Sequence, residues 1–435
     1  MSLSNGRSRA LPPLIVLLTL PALSSAVAQD AAPAHPGQPP VSLRHEEGRL
    51  VVRTPFYEAA VAPDNGGRIV SFVFRGVEIT GLAPSGQGGL MEETHTADFP
   101  FRLLPPKTTE REVALTLSAD AGNLRVWKTY TFSADHPWLA VGLTFENRSP
   151  FRLIGDAVPA MRALVLPGGL AGADRTLYCL DRGAGAETLS PDIFLSAADA
   201  ADASSLRWIA AADPASRRAL GFTLTQDGPF PACGLLAPLR TDAGIVLGWS
   251  YPAIPAGQSL STTVWIVPLD GFAAVAELNQ RFVAESLPQS ASPLAVRLEV
   301  MALRDELRDV SVITRTYDES GAELDPCDAL LFNAAAPFAL RTGSITWPGQ
   351  AGKPAWLLHE VYSEGRRLNR VAVRLGLAGG CRRSRPNRPR HRSSGPSRGW
   401  RPQAWPRPRF SRVTAPSSCG VSTACHRKPR WNAWN

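Results

Sequence analysis

The stretch Leu124–Asn147, LRVWKTYTFSADHPWLAVGLTFEN, decides the fold class. Apolar or long side chains occupy every second position of its two halves, namely Leu124, Val126, Lys128, Tyr130 and Phe132, then Leu139, Val141, Leu143 and Phe145. Such alternation on both sides of a short polar turn is typical of two antiparallel strands. We therefore expect a hairpin with one buried face, on which Val141 and Leu143 contribute to the core.

Alternation of the same kind recurs through the body of the chain. Further strand-like runs are Phe56–Val61, Ile69–Phe74, Val113–Leu117, Arg207–Ala211, Leu220–Thr225, Gly244–Trp249 and Ser261–Pro268. Asp64–Gly67 predicts a turn, because Asn and Gly tolerate positive φ. One run after Asp270 has apolar residues at helical spacing, from Phe272 to Phe282. The pattern predicts a first domain over residues 43–287, built from strands and closed by one helix.

A second domain is expected over residues 294–375. Leu287–Pro293 is polar and rich in Pro and Ser, which predicts a linker. Five to seven short strand-like runs follow it, and this number fits a small immunoglobulin-like sandwich.

The amino-terminal residues predict export. Arg7 and Arg9 precede an apolar stretch, Leu11–Leu23, and the small-x-small run Ala26–Ala28 follows. This is the order of a secretory signal peptide, which we place at residues 1–28. The apolar stretch is shorter than the roughly 20 residues that span a bilayer. We therefore expect a bacterial periplasmic or secreted protein with a Pro-rich leader at residues 29–42 and no membrane span after cleavage.

The carboxyl-terminal segment, residues 376–435, has a different composition. It carries fourteen of the 46 basic residues and none of the 38 acidic ones, with eight Pro and no Ile or Met after Gly380. Such a segment cannot bury a core, so disorder is predicted. A shifted reading frame or a genuine basic arm would each explain it. Because the remaining chain is acidic, we predict no specific nucleic-acid partner, and the oligomeric state stays open.

Cysteine usage predicts neither a disulfide framework nor a metal site. Cys179, Cys233 and Cys327 are the cysteines of the body, and none of them forms a CxxC pair. A Cys179–Cys233 disulfide is conceivable in an oxidising compartment. No phosphate-binding Gly loop or nucleophile motif is found, so we expect no cofactor and no metal.

Two motifs carry a family resemblance. The segment Phe56–Ile69 resembles the opening hairpin of galactose-mutarotase-like domains, and Trp127–Ser149 resembles the K-x-Y-x-F and N-x-S strand pair of that superfold. The pair is shared with sugar epimerases and with the periplasmic domain of the bacterial membrane-protein insertase. The resemblance implies a large antiparallel two-sheet supersandwich before the immunoglobulin-like sandwich and the disordered tail. It also implies a concave face that holds a carbohydrate in many members.

The candidate site is the loop after residue 91. Glu92, Glu93 and His95 stand together there, and Arg102 follows. Epimerases need one group that gives a proton and another that takes one, but the Asn-rich segment that the resemblance implies is absent. Catalysis, binding of a sugar or a cation, and a solvated acidic loop all remain open for this group.

Further ligand-binding candidates are Asp181 and Arg182, in a Gly-hinged loop, and the strand tryptophans Trp208 and Trp249. An ordinary connection is the alternative for the loop. The aromatic planes, like that of Trp127, could stack on a pyranose or pack in the core.

The sequence leaves three functions open. The first is an exported, non-catalytic protein with a glycan as its partner. The second is a carbohydrate-active enzyme, either epimerase-like or the remnant of a truncated hydrolase or lyase. The third is a periplasmic interaction or assembly module. Enzymatic activity is left undecided, with no catalytic residue assigned.

Overall fold

A computed structural model describes residues 40–81, 88–169, 176–181, 186–189, 206–224, 233–236, 239–241, 244–291, 294–318, 320–324, 328–347 and 355–374. These residues form strands almost throughout, with one 3-10 turn at Gly155–Ala157. The all-β prediction is therefore confirmed. The predicted signal peptide, most of the leader and the tail after Arg374 lie outside the described residues, as does Arg182. No helix within the described ranges is long and apolar enough to cross a membrane.

The strands in the first half of the chain are mostly short before the central hairpin. They are β1 Ser42–Glu46, β2 Arg49–Arg53, β3 Tyr57–Ala62, β4 Arg68–Phe74, β5 Val77–Glu78, β6 Glu92–Glu93, β7 Arg102–Leu103, β8 Lys107–Thr108, β9 Glu112–Ala121, β10 Leu124–Ser133, β11 Leu139–Asn147, β12 Ala160–Val165, β13 Leu177–Asp181 and β14 Ala186–Leu189.

Longer strands dominate the second half. They are β15 Trp208–Asp213, β16 Arg218–Thr223, β17 Gly234–Leu235, β18 Leu239–Thr241, β19 Gly244–Ser250, β20 Ser259–Asp270, β21 Glu277–Leu278, β22 Phe282–Ala291, β23 Leu294–Ala302, β24 Leu307–Tyr317, β25 Asp328–Ala335, β26 Leu340–Trp347, β27 Trp356–Ser363 and β28 Arg366–Arg374.

These strands form four sheets. The largest has fourteen strands and runs in the order β25-β24-β27-β28-β14-β13-β15-β16-β20-β11-β10-β9-β7, with β8 also on β9. Two five-stranded sheets comprise β1 to β5 and the set β17-β19-β12-β6 with β18, and a four-stranded sheet has the order β21-β22-β23-β26. The pairings within them are antiparallel except for the single β14–β28 contact.

The central hairpin is built as the sequence predicts. β10 pairs with β11 in a continuous antiparallel register, and its buried side chains alternate with half-buried ones along both strands. Val141 and Leu143 are buried, which confirms the predicted inward face. The predicted turn before β4 is also present, and both of its glycines, Gly66 and Gly67, have positive φ.

Two hydrophobic clusters cover opposite faces of the fourteen-stranded sheet. The first joins the inward side chains of β9 to β11 to those of the two five-stranded sheets. The second joins side chains of β15, β16 and β20 to the four-stranded sheet and to strands β24, β27 and β28. The outward face of β9 to β11 contributes to neither cluster, except near Trp138.

Two sequence predictions around residue 280 are wrong. The helix predicted after Asp270 is absent, and β21 and β22 occupy its place. All seven residues from Phe272 to Leu278 are buried, so their helical spacing does not mark one apolar face. The predicted linker Leu287–Pro293 is likewise strand as far as Ala291, and β22 pairs with β23 across it. The division into two sandwich domains remains a prediction.

The suggested Cys179–Cys233 disulfide is not formed, and both cysteines are buried in the thiol form. Cys179 lies in the second hydrophobic cluster, where its Sγ accepts a hydrogen bond from the Val275 amide, at 3.3 Å. Cys233 lies in the first cluster. The two cysteines therefore lie in different clusters, on opposite sides of the large sheet.

Candidate functional site

The two sequence motifs meet in one buried polar unit. Lys128 of β10 donates hydrogen bonds from Nζ to the carbonyls of Gly66 and Met91, both at 2.7 Å. Tyr130 donates from Oη to the Gly67 carbonyl at 2.6 Å. A Cβ at Gly66 would lie only 2.6 Å from the carbonyl oxygen of Ala97. The Gly-Gly turn is thus held against the hairpin by its backbone, and Lys128 and Tyr130 act as structural residues.

The acidic loop is organised around the Glu93 carboxylate. Glu93 is fully buried and accepts hydrogen bonds from the backbone amides of His95 and Thr96, at 3.0 and 2.9 Å. The Thr96 hydroxyl donates a third at 2.8 Å, and Nδ1 of His95 lies 2.8 Å from the other carboxylate oxygen. Burial alone would raise the pKa of Glu93, but the hydrogen bonds and charge of His95 outweigh it and lower that pKa.

Glu92 forms an ion pair with the side chain of Arg68, which is almost fully buried. Arg68 also donates a hydrogen bond to the Asn65 side chain. Burial lowers the pKa of Lys128 to about 7, against the opposing charges of Glu93 and Glu92. Both carboxylates of the predicted site are therefore tied to the protein's own groups, and Glu93 also fixes the start of the following turn at His95 and Thr96.

His95 is the member of this group that reaches solvent, with 30% of its side chain exposed. An imidazole oriented by a buried carboxylate can exchange protons with a bound molecule. Ring opening needs a second group, and the other described histidines lie elsewhere. His45 is on β1, His136 follows β10, and His359 is buried on β27 between the hydroxyls of Ser286 and Thr314.

The two predicted tryptophan platforms are corrected by the structure. Trp208 is 1% exposed within the second cluster, and Trp249 is 0% exposed within the first, where its Nε1 donates to Tyr251 Oη at 3.1 Å. Neither ring has an open face that could stack on a sugar. β15 is buried at all six positions and β19 at most of its positions, so the apolar spacing of these two runs does not distinguish an open ring face from a covered one.

The remaining predicted residues fall in different places. Arg102 is exposed on β7. Asp181 is buried opposite Trp208 and forms an ion pair with Arg207, with 3.2 Å between the Asp181 Oδ2 and Arg207 Nη1 atoms. Glu93 and Trp249 share the sheet that contains β6, β12 and β19, each opposite Met161. The candidate set thus splits between two sheets, and a ligand role for Glu92, Glu93 and His95 stays a prediction.

An open surface that the sequence reading did not select lies on the outward face of β9, β10, β11 and β20. Trp127 is half-buried there, and Arg125 lies with its Cζ 5.4 Å from the ring centroid. The strand register places side chains in rows across this face, the first being Ser118, Trp127, Thr144 and Ser261, and the second Thr116, Thr129, Gly142 and Thr263. We call these two rows the hydroxyl face.

The hydroxyl face is uncharged in its centre. The charged side chains at its edge pair with each other, since Asp120 binds both Arg125 and Arg148, and Arg148 also binds Glu146. Thr116 and Thr129 lie 3.2 Å apart through their hydroxyl oxygens, and Thr144 and Ser261 lie 2.9 Å apart. The surface therefore presents ordered hydroxyls beside one aromatic ring.

Solved structures similar to this chain include three of different kinds. A TPR-domain containing protein from Parabacteroides distasonis is 13% identical over 51% of this chain and 47% of its own, with a TM-score of 0.37. A galactose mutarotase-like protein from Lactobacillus casei is 11% identical over 51% of this chain and 100% of its own, at 0.33. A polysaccharide lyase is 12% identical over 76% of this chain and 47% of its own, at 0.32.

The chain thus spans about half the length of the first and third of these proteins. Mutarotase-like proteins, which the sequence motifs resemble, are among the matching structures. These TM-scores are below 0.5, so the similarity assigns neither a site nor an activity to this chain. No protein-family model and no curated protein matches the sequence.

Proposed function

We propose that this is an exported, non-catalytic glycan-binding protein that binds its ligand on the hydroxyl face. The observation that carries the proposal is the half-buried Trp127 within rows of Thr and Ser side chains. A sugar ring offers an apolar face, which packs on an aromatic plane, and hydroxyls, which exchange hydrogen bonds with Thr and Ser. The hydroxyl face supplies both kinds of contact on four rigid strands.

Several features favour binding over chemistry at this surface. Its two rows contain Thr, Ser, Gly and Trp, and no group in them titrates near neutral pH. The residues are held by continuous strand pairing, so little ordering is required when a ligand arrives. A few hydrogen bonds and one stacked ring support affinities of roughly millimolar to micromolar.

The test is titration calorimetry with the full chain and a panel of neutral oligosaccharides. Neutral ligands are required because the basic residues after Gly380 attract polyanions without specificity. We expect at least one sugar to bind, and Trp127→Ala to weaken it at least about tenfold, the loss of one stacked ring. The melting temperature should change little, since Trp127 lies outside both hydrophobic clusters.

His95→Ala is the matched control for the acidic loop. If it abolishes binding and Trp127→Ala does not, the ligand site is the loop around Glu93 instead. Epimerisation that is lost in His95→Ala would favour the enzyme alternative, because the Glu93–His95 pair is its one supporting observation. Failure of every neutral sugar to bind would leave the assembly-module alternative ahead.

A further inference from the structure

A second aromatic site lies at the far end of the same face. Trp265 is half-buried on β20 and stands opposite Ala140, one row beyond Gly142 and Thr263. It lies two strands away from Trp127. Along β20 it is four residues beyond Ser261, which belongs to the same row as Trp127. Standard strand spacings place the two indoles about 17 Å apart. The intervening positions carry Thr, Ser, Gly and Ala side chains without charge.

The Trp265 end is a cleft with unused hydrogen-bonding capacity. Trp265 packs edge-on against Trp138, with ring centroids 5.6 Å apart, and Asn279, Gln280 and Arg304 line the same cleft. The indole nitrogen Nε1 of Trp265 is buried and has no hydrogen-bond partner among the described residues. A buried donor without a partner is costly. A ligand hydroxyl that displaced the covering side chains and accepted this hydrogen bond would recover part of that cost.

His136 adds a second unused group beside the cleft. Its ring stacks on Trp138 with centroids 4.0 Å apart, and its buried Nδ1 also lacks a partner within the described part of the chain. Apolar ring faces and a few convergent polar atoms are the usual lining of a small-molecule site. The cleft therefore matches the hydroxyl face in chemistry and continues it in space.

We infer that the ligand is a linear, neutral oligosaccharide that contacts Trp127 at one end and the Trp265 cleft at the other. This inference rests on the proposed function. A single sugar ring is much shorter than the separation of the two indoles, so only an extended chain reaches both. The rows between them are uncharged, and Arg125 beside Trp127 is already paired with Asp120, which favours a neutral glycan over one with a carboxylate on each unit.

The experiment is calorimetric titration of the full chain with glucose oligomers of one to six units, in α-1,4, β-1,3 and β-1,4 linkage. In at least one series, affinity should rise at least about tenfold from the shortest ligand that binds to the longest, because two linked contacts reinforce each other. Trp265→Phe and Arg304→Ala should each remove this gain and leave the affinity for the shortest ligand unchanged. Arg304 is exposed, so its variant keeps the test valid if Trp265→Phe folds poorly.

The outcomes separate this inference from the proposed function. Binding that depends on Trp127 but not on chain length overturns the second contact and leaves glycan binding standing. A length-dependent gain that survives both cleft variants also overturns it. If no oligomer of any length or linkage binds, and the wider panel of neutral sugars fails too, both are refuted.

Discussion

The two faces of the β10–β11 hairpin differ in a way that separates structural from functional residues. The inward face holds Lys128, a charged residue type, and commits it to two backbone carbonyls. The outward face holds Trp127, a large aromatic residue, and leaves it only half-buried, outside both hydrophobic clusters. Residue type alone would assign these the opposite way, with the lysine as a functional group and the tryptophan in the core. The surroundings of each side chain therefore decide its role.

The largest expected effect comes from placing a charge on the inward face. Val141→Asp should lower the free energy of unfolding by about 3–5 kcal/mol, because it buries a carboxylate without a partner. Thr144→Asp, on the outward face of the same strand, should change it by less than about 1 kcal/mol. Urea denaturation of both variants measures the difference. Equal losses would mean that the outward face is covered, and the hydroxyl face would then be unavailable to a ligand.

A buried histidine offers a comparison with the partly exposed His95. Burial lowers the pKa of His359 to about 3, so the folded protein keeps the imidazole neutral. The unfolded chain takes up the proton below its ordinary value near 6.5. Protein stability should therefore fall as pH decreases from 6.5 toward 3, by ~1.4 kcal/mol per pH unit from this group alone.

Denaturation at several pH values with wild type and His359→Gln isolates this contribution. The variant should lose less stability over the same pH range, since Gln has no proton to gain. Identical pH dependence in the two proteins would show that His359 is not held neutral in the folded state.

The lysine on the inward face gives a smaller effect. Lys128→Met should cost about 1–3 kcal/mol, because the carbonyls of Gly66 and Met91 lose their donor while buried. Tyr130→Phe removes one hydrogen bond, to Gly67, and should cost about 1 kcal/mol. Denaturant unfolding measures both. A Lys128→Met protein that loses glycan binding at full stability would instead place the lysine in a functional site.

Sequence periodicity was sufficient for the hairpin and for the all-β class, because alternation reports directly which side of a strand is buried. It failed after Asp270, where a wholly buried run has apolar residues at every spacing, including the helical one. It also left open whether Trp208 and Trp249 stack on a sugar or pack in the core, because a strand pattern does not show which layers cover each face; the structure buries both rings. Predicting the hydroxyl face would require the register of four strands. Two of these strands, β11 and β20, are paired although they lie over a hundred residues apart in the sequence.

The most direct test of the hydroxyl face fills its centre. Gly142 lies between Thr129 and Thr263, and a Cβ there would meet Thr129 at 3.6 Å, an ordinary contact. Gly142→Leu should therefore fold with an unchanged or higher melting temperature, since Gly weakens strands. Its side chain should block the face and reduce neutral-glycan affinity at least about tenfold, measured by titration calorimetry. Wild-type affinity in a folded Gly142→Leu protein would contradict the claim that this face binds the ligand.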